Sequence, residues 1–237
     1  MDSSVLPNFL EAVLVIAPPA ILGVVLHEIS HGYVAFLRGD DTAARMGRLT
    51  LNPLAHIHWF GTIVLPLALY MLSSLMGFKF LFGFAKPVPV DFGRLYDPKR
   101  DMVWVAAAGP FTNMALAVAS SAAYKTLAMF YPEAYTQTFM SAHGSDSWTL
   151  NVLFLMLTFS VYINVILALI NLIPVPPADG GRILVGLLPE KQALTYARIE
   201  PYGLPILLFL LLFNPFHIIN WTLLPLLNVI LSFLLYP

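Results

Sequence analysis

Long apolar runs confine this chain to a lipid bilayer. They lie at about 9–37, 61–76, 102–130, 148–173, 202–214 and 217–236, and several reach the roughly 20 residues a helix needs to cross about 30 Å of hydrocarbon. Only 11% of the 237 residues are charged, against roughly 25% in an ordinary soluble domain, so the chain cannot cover such runs with a polar shell. In hydrocarbon each backbone N–H and C=O must be satisfied internally, which makes the helix the natural spanning form. The sequence therefore reads as an all-α, polytopic transmembrane helix bundle of about five to six spans. The first run is expected to be a retained span rather than a cleavable leader, because Met1 to Asn8 has no Lys or Arg.

The runs are separated by recognisable breakers. Pro18-Pro19 divides the first, and a kink or a fresh helix start is expected there. Counted from Pro19, a helix to Leu37 is about 28 Å long, enough to cross, and Gly39-Asp40-Asp41 ends it. Residues 42–60 are mixed and partly alternating, which reads as a short β element or loop at the membrane surface. Residues 77–101 and 174–201 are loops by their prolines and glycines, and 131–147 is short and polar.

Charge then gives orientation. Arg38, Arg45, Arg48, Lys86, Arg94, Lys99, Arg100, Arg182, Lys191 and Arg198 fall in three loops, whereas 131–147 has no Lys or Arg. The positive-inside rule places the three loops in the cytoplasm and 131–147 outside. A full crossing by 61–76 would break that pattern. A re-entrant hairpin, dipping in at 61–76 and returning through Phe78 to Phe84, preserves it, and such backbone is tolerated where protein or a water-filled cavity satisfies it. The near-neutral net charge of −1 gives no footprint for nucleic acid. The absence of cysteine excludes disulfides, thiolate zinc sites and a cysteine nucleophile.

Within the first run stands His27-Glu28-Ile29-Ser30-His31. Residues four apart share a helix face, so both imidazoles can reach one metal ion. Glu28 is adjacent and can take a proton from an attacking water; neutral imidazole suits Zn²⁺ and a carboxylate is a competent base. The alternative is a set of satisfied polar residues in a bundle. Ionisable groups in a span each cost roughly 2.5–3.5 kcal/mol when charged, and three together with ligand spacing favour function. A catalytic zinc needs a third protein ligand and an open position. Asp179, in Asn171-Leu172-Ile173-Pro174-Val175-Pro176-Pro177-Ala178-Asp179-Gly180-Gly181, is the favoured one, since an unwound stretch at membrane depth lines cavities. An ordinary turn is the bland reading of Asp-Gly-Gly, and His56 and His58 are rival ligands in a surface loop. His31 lies about 10 Å from the cytoplasmic interface marked by Arg38, and Asp179 shares that side only if 61–76 is a hairpin.

These residues give the chain its resemblance to the site-2 protease family of zinc intramembrane proteases. The matching pieces are His27 to Gly32, Gly109-Pro110-Phe111-Thr112-Asn113, and Asn171 to Gly181. Gly47 to Pro53 and Gly83 to Val90 resemble stretches of the compact bacterial members, and no PDZ or CBS-like module is seen in these residues. The resemblance implies His27, His31 and Asp179 as ligands of one zinc ion, Glu28 as catalytic base and Asn171 lining the cavity. His58 stands where this subgroup leads one to expect aspartate. The whole of 1–237 then reads as one integral-membrane protease domain, with a catalytic core at about 20–185 and accessory spans at about 202–236. The expected activity is hydrolysis of peptide bonds within or near transmembrane helices of membrane-protein substrates, in a cell membrane that is the bacterial inner membrane, with the site toward the cytoplasm. Asn171 is expected to donate to the oxyanion or to cap its helix, and an exposed edge near Arg48 to Asn52 to hold the unwound substrate or to be a plain loop. A metal transporter using the same cluster is the rival reading, weakened by the absence of a repeat; an inactive membrane scaffold is another.

Overall fold

A computed structural model describes residues 5–75, 83–140 and 147–235. Its helices, in chain order, are α1 (Val5–Leu37), α2 (Thr42–Arg45), α3 (Leu65–Leu75), α4 (Pro98–Phe130), α5 (Pro132–Met140), α6 (Trp148–Asn171), α7 (Asp179–Leu187), α8 (Glu190–Ala197), α9 (Glu200–Phe213), α10 (Ile218–Trp221) and α11 (Leu223–Leu235). Among the described residues, four helical runs are long and apolar enough to cross a membrane: Val13–Leu37 of α1, α4, α6, and Ile218–Leu235. The pair α8 and α9, bent by 67°, brings the number to five if it forms one broken span. The protein is thus a multi-pass membrane protein.

Of the two alternatives at Pro18-Pro19, the fresh helix start is not taken, for α1 continues through both; helices in apolar surroundings tolerate proline where neighbouring groups re-satisfy the backbone. The short β element expected in 42–60 is not formed, and the described residues contain no strand. A strand needs a ladder, whereas here Asn52 accepts from the Leu54 N–H at 3.0 Å and starts a 3-10 turn, Pro53–His56. His58 Nδ1 accepts from the Gly61 N–H at 3.1 Å and caps a π-helix, Trp59–Val64. An N-cap needs a short-reach acceptor, the usual work of aspartate, and His58 supplies one. The return through Phe78 to Phe84 lies outside the described residues as far as residue 82. At its end, the Phe84 N–H donates to Gly61 O at 3.0 Å and the Thr62 hydroxyl donates to Phe84 O at 3.0 Å.

The chain packs as two compact units, one of residues 1–23, 110–170 and 220–237, the other of 24–109 and 171–219. In the first, Ala117, Tyr124, Phe154, Val161, Val165 and Leu231 build the core. Buried Asn113 donates to Gly23 O at 3.1 Å and to Asn164 Oδ1 at 2.8 Å, and Asn164 donates to Ser160 O at 2.9 Å. In the second, Ala35, Leu95 and Val105 pack with Val34, Val90 and Phe92. There α1 ends at Gly39, whose φ of +106° suits a residue without Cβ. Arg38 donates to the buried Asp101 in the first turn of α4 at 2.9 Å. The fully buried Asp40 accepts from the Thr42 N–H and hydroxyl and, at 2.7 Å, from the Asp91 N–H. These bonds hold the end of α1, the start of α4 and the loop before it in one arrangement.

Candidate metal centre

The second unit carries the centre. One turn of α1 places His27 and His31 on the same face, with their Nε2 atoms 3.1 Å apart. The first residue of α7 supplies the third group: Asp179 Oδ2 lies 3.2 Å from His27 Nε2, and Oδ1 3.3 Å from His31 Nε2. His27 and Asp179 are buried and His31 half-buried. The His31 Nδ1–H donates to Val105 O on α4 at 2.7 Å. A carbonyl only accepts, so this bond assigns the proton to Nδ1 and leaves the Nε2 lone pair directed at the cluster.

Local sequence explains how Asp179 arrives there. Beyond α6, Val175 N–H bonds back to Ile173 O at 2.8 Å and Ala178 N–H to Val175 O at 3.0 Å, forming consecutive tight turns. A Cβ on Gly180 would stand 2.2 Å from Leu172 O, and one on Gly181 2.2 Å from Pro176 N. Asp-Gly-Gly is therefore a close backbone crossing that opens a helix, not a solvated turn. Glycine matters a second time at Gly109 of α4, where a Cβ would lie 2.5 Å from His27 Cε1 and 2.6 Å from the Nε2 atoms of both histidines. Lack of a side chain there keeps open the space the imidazoles face.

The other sequence candidates fall around this centre. Glu28 accepts at Oε2 from the Val88 N–H at 2.8 Å. Asn171 is the last residue of α6. His56 is buried and bonded to Thr50 O at 2.9 Å, and His58 caps the π-helix, so each is placed within its loop rather than in the three-residue cluster. Three contributors escaped the sequence reading: the Val105 carbonyl, the Val88 amide and the bare Cα of Gly109. The first two are backbone groups and leave no residue signal. The third stood in a quoted motif whose function only the packing reveals.

Zinc fits these residues. Ligands about 2.0–2.1 Å from a tetrahedral ion stand about 3.3 Å from one another; the two histidine nitrogens, and each histidine with the Asp179 oxygen nearest it, lie close to that spacing. Among the described residues, the buried Asp179 Oδ2 has no hydrogen-bond partner, although His27 Nε2 lies 3.2 Å away. An orphaned carboxylate oxygen among imidazole lone pairs is a group awaiting a cation.

Two histidines of a membrane-length helix meeting a carboxylate from α7, with Glu28 following the first histidine, make the donor set of a metal-dependent hydrolase of the membrane. Comparison with known proteins agrees: the Peptidase family M50 model matches residues 19–214, and the chain belongs to that family. It is 36% identical over 197 residues to "Putative zinc metalloprotease YwhC" of Bacillus subtilis, covering 81% of this chain and 77% of that protein. It is 29% identical over 193 residues to "Putative zinc metalloprotease Rip2" of Mycolicibacterium smegmatis, covering 81% of this chain and 64% of the relative. The Mycobacterium tuberculosis strain H37Rv protein of the same name is 30% identical over 187 residues, covering 79% and 62%. The chain thus spans less than two thirds of these two Rip2 proteins. No solved structure matches the chain. The protein is a zinc-dependent intramembrane metalloprotease.

Proposed function

We propose that His27, His31 and Asp179 hold the single zinc ion of this protease and that Glu28 is its general base. The convergence of three side chains carries the reading: the two Nε2 atoms lie 3.1 Å apart, and each meets a different oxygen of Asp179, at 3.2 and 3.3 Å. Zinc, when bound, supplies Lewis acidity to the scissile carbonyl and to the attacking water. Glu28 follows the first ligand on α1, where its carboxylate takes the proton of that water and passes it to the leaving amine. Asn171, at the end of α6, donates its amide to the developing oxyanion. Val105 keeps His31 in the ligating tautomer, and Gly109 leaves the space free.

The substrate is a transmembrane segment of another membrane protein, unwound locally so that its amides leave their own helix. The site faces the cytoplasm of a bacterial inner membrane, because the basic loops cluster on one side and Asp179 must return to the half that holds His31. The bonds from Phe84 to Gly61 and from Thr62 to Phe84 support a re-entrant hairpin, since the chain comes back to the point from which α3 departs. The whole chain acts as one protease domain, with residues at about 20–185 forming the core and the spans near 202–236 accessory to it.

Comparative membrane proteomics of wild type and Glu28→Gln tests the assignment. Single-pass proteins should accumulate uncleaved in the variant, and the purified variant should keep one zinc per chain. Intact cleavage by zinc-loaded Glu28→Gln would sink the base assignment.

A further inference from the structure

The position of Glu28 on α1 does not by itself fix where its carboxylate lies. A glutamate side chain has several rotatable bonds, and proton transfer requires a carboxylate held within hydrogen-bond reach of its proton. We infer that the segment Lys86–Val88 is a backbone strap that positions Glu28, clamped at its far end by the buried Arg48. This rests on the proposed role of Glu28 and goes beyond it by naming what holds the base.

Four contacts define the strap. The Val88 N–H donates to Glu28 Oε2 at 2.8 Å. Pro87 and Pro89 have no N–H, so the run Pro87-Val88-Pro89 presents a single amide donor, and it is spent on this carboxylate. Val88 is 7% exposed, and its Cγ1 comes so close to Gly32, one turn beyond Glu28, that a Cβ there would lie 2.7 Å away. Lys86 is held on both sides: its N–H donates to His56 O at 2.8 Å, and its carbonyl accepts from Arg48 Nη2 at 2.9 Å.

Arg48 is the unexpected member. It is 8% exposed, forms no ion pair among the described residues, and its Nε has no hydrogen-bond partner. A guanidinium withdrawn from water without a carboxylate is costly, and surface placement would have avoided that cost. Among the described residues, the hydrogen bond its guanidinium makes goes to the strap. The chain of contacts runs from Arg48 to Lys86 O, along two residues of proline-stiffened backbone, to the Val88 N–H and Glu28 Oε2. With Oε2 held, Oε1 is the oxygen left to take the proton. Arg48 and the Val88 amide are positioning elements, since neither is the base itself.

The test uses the full-length, zinc-loaded protein in detergent, with a purified membrane protein that accumulates uncleaved in Glu28→Gln cells as substrate. Val88→Pro removes the N–H, whereas Val88→Ala keeps it. Because a misplaced catalytic group can reduce rate by up to about 100-fold, Val88→Pro should lower kcat at least about tenfold. KM should stay within about twofold and bound zinc at one per chain, and Val88→Ala should stay within about threefold of wild type. Arg48→Ala should lower kcat by about fivefold, and Arg48→Lys should restore most of it. Elements of one unit are non-additive, so Arg48→Ala/Val88→Pro should match Val88→Pro within about twofold. Wild-type kcat in Val88→Pro, a raised kcat (a strap that masks the base), or a change confined to KM would overturn the strap. So would a double-variant loss equal to the product of the singles. If Val88→Pro loses zinc or unfolds, the Arg48→Ala and Arg48→Lys pair decides by the same kcat criterion. Cleavage that survives Glu28→Gln overturns the base; cleavage lost there but untouched in Val88→Pro and Arg48→Ala overturns the strap alone.

Discussion

Gly109 contributes to the metal centre by what it lacks. Alanine there would place a Cβ 2.6 Å from the Nε2 atoms of His27 and His31, and one of them is held from behind by Val105. Neither ring is a flexible tip that swings away at little cost. Gly109→Ala should weaken zinc affinity by about 10–100-fold, the scale of errors in ligand orientation, while the helical circular-dichroism spectrum is unchanged; zinc titration of the purified variant measures it. Asn171 gives the opposite case, a side chain assigned work in the transition state. Removing an oxyanion donor typically costs about 100–1,000-fold in kcat, so Asn171→Ala should show that loss with zinc retained; a kcat within a few-fold of wild type leaves only the helix cap. Asp40 predicts a pH effect. Burial by itself raises its carboxyl, but hydrogen bonds from Thr42 and Asp91 and the charge of Arg94 outweigh it and hold the group below the ordinary carboxylate range. A depressed folded-state pKa stabilises fully above the unfolded value of about 3.9 and is lost as pH falls through the folded one. The thermal stability of wild type should therefore fall below about pH 4, and that of Asp40→Asn should start lower at neutral pH and vary less across that window.

At the scale of elements, the Asn113–Asn164 pair ties α4 to α6 and to the Gly23 carbonyl of α1 within the first unit. Loss of one partner leaves buried polar groups unsatisfied, at about 1–3 kcal/mol. Asn113→Ala should lower unfolding stability by that amount without altering bound zinc, as a paired thermal and metal assay will show. The legibility of elements followed their length. The runs beginning near residues 102, 148, 202 and 217 became α4, α6, α9 and the α10–α11 pair, because an unbroken apolar stretch has one low-energy form in lipid. The segment 174–201 read as loop from its prolines, yet it holds α7 and α8. Nine- and eight-residue helices are too short to leave a firm period, and their stability comes from packing rather than propensity. The strand alternative for 42–60 was not taken for a related reason: alternation suggests a strand, but a strand exists only with a partner.

For the molecule as a whole, topology is the open physical variable, and the absence of cysteine makes it measurable. A single cysteine introduced by Lys99→Cys or Lys191→Cys should react with an impermeant maleimide only after the cells are opened, whereas Glu133→Cys should react in intact cells. All three positions are exposed. Labelling of Lys99→Cys from outside would make 61–76 a full crossing and remove the cytoplasmic placement of the centre. The sequence by itself determined the solvent of this protein and the motif chemistry. Hydrophobic length dictates lipid, and helical periodicity alone sets two histidines on one face beside a glutamate. Tertiary structure decided what periodicity cannot encode: that Asp179 meets those histidines from a distant helix, that Val105 and Gly109 shape the space between them, and that a proline-flanked amide holds Glu28. Those contacts join residues far apart in the chain, several through backbone atoms common to every residue type, so they exist only once the helices have packed.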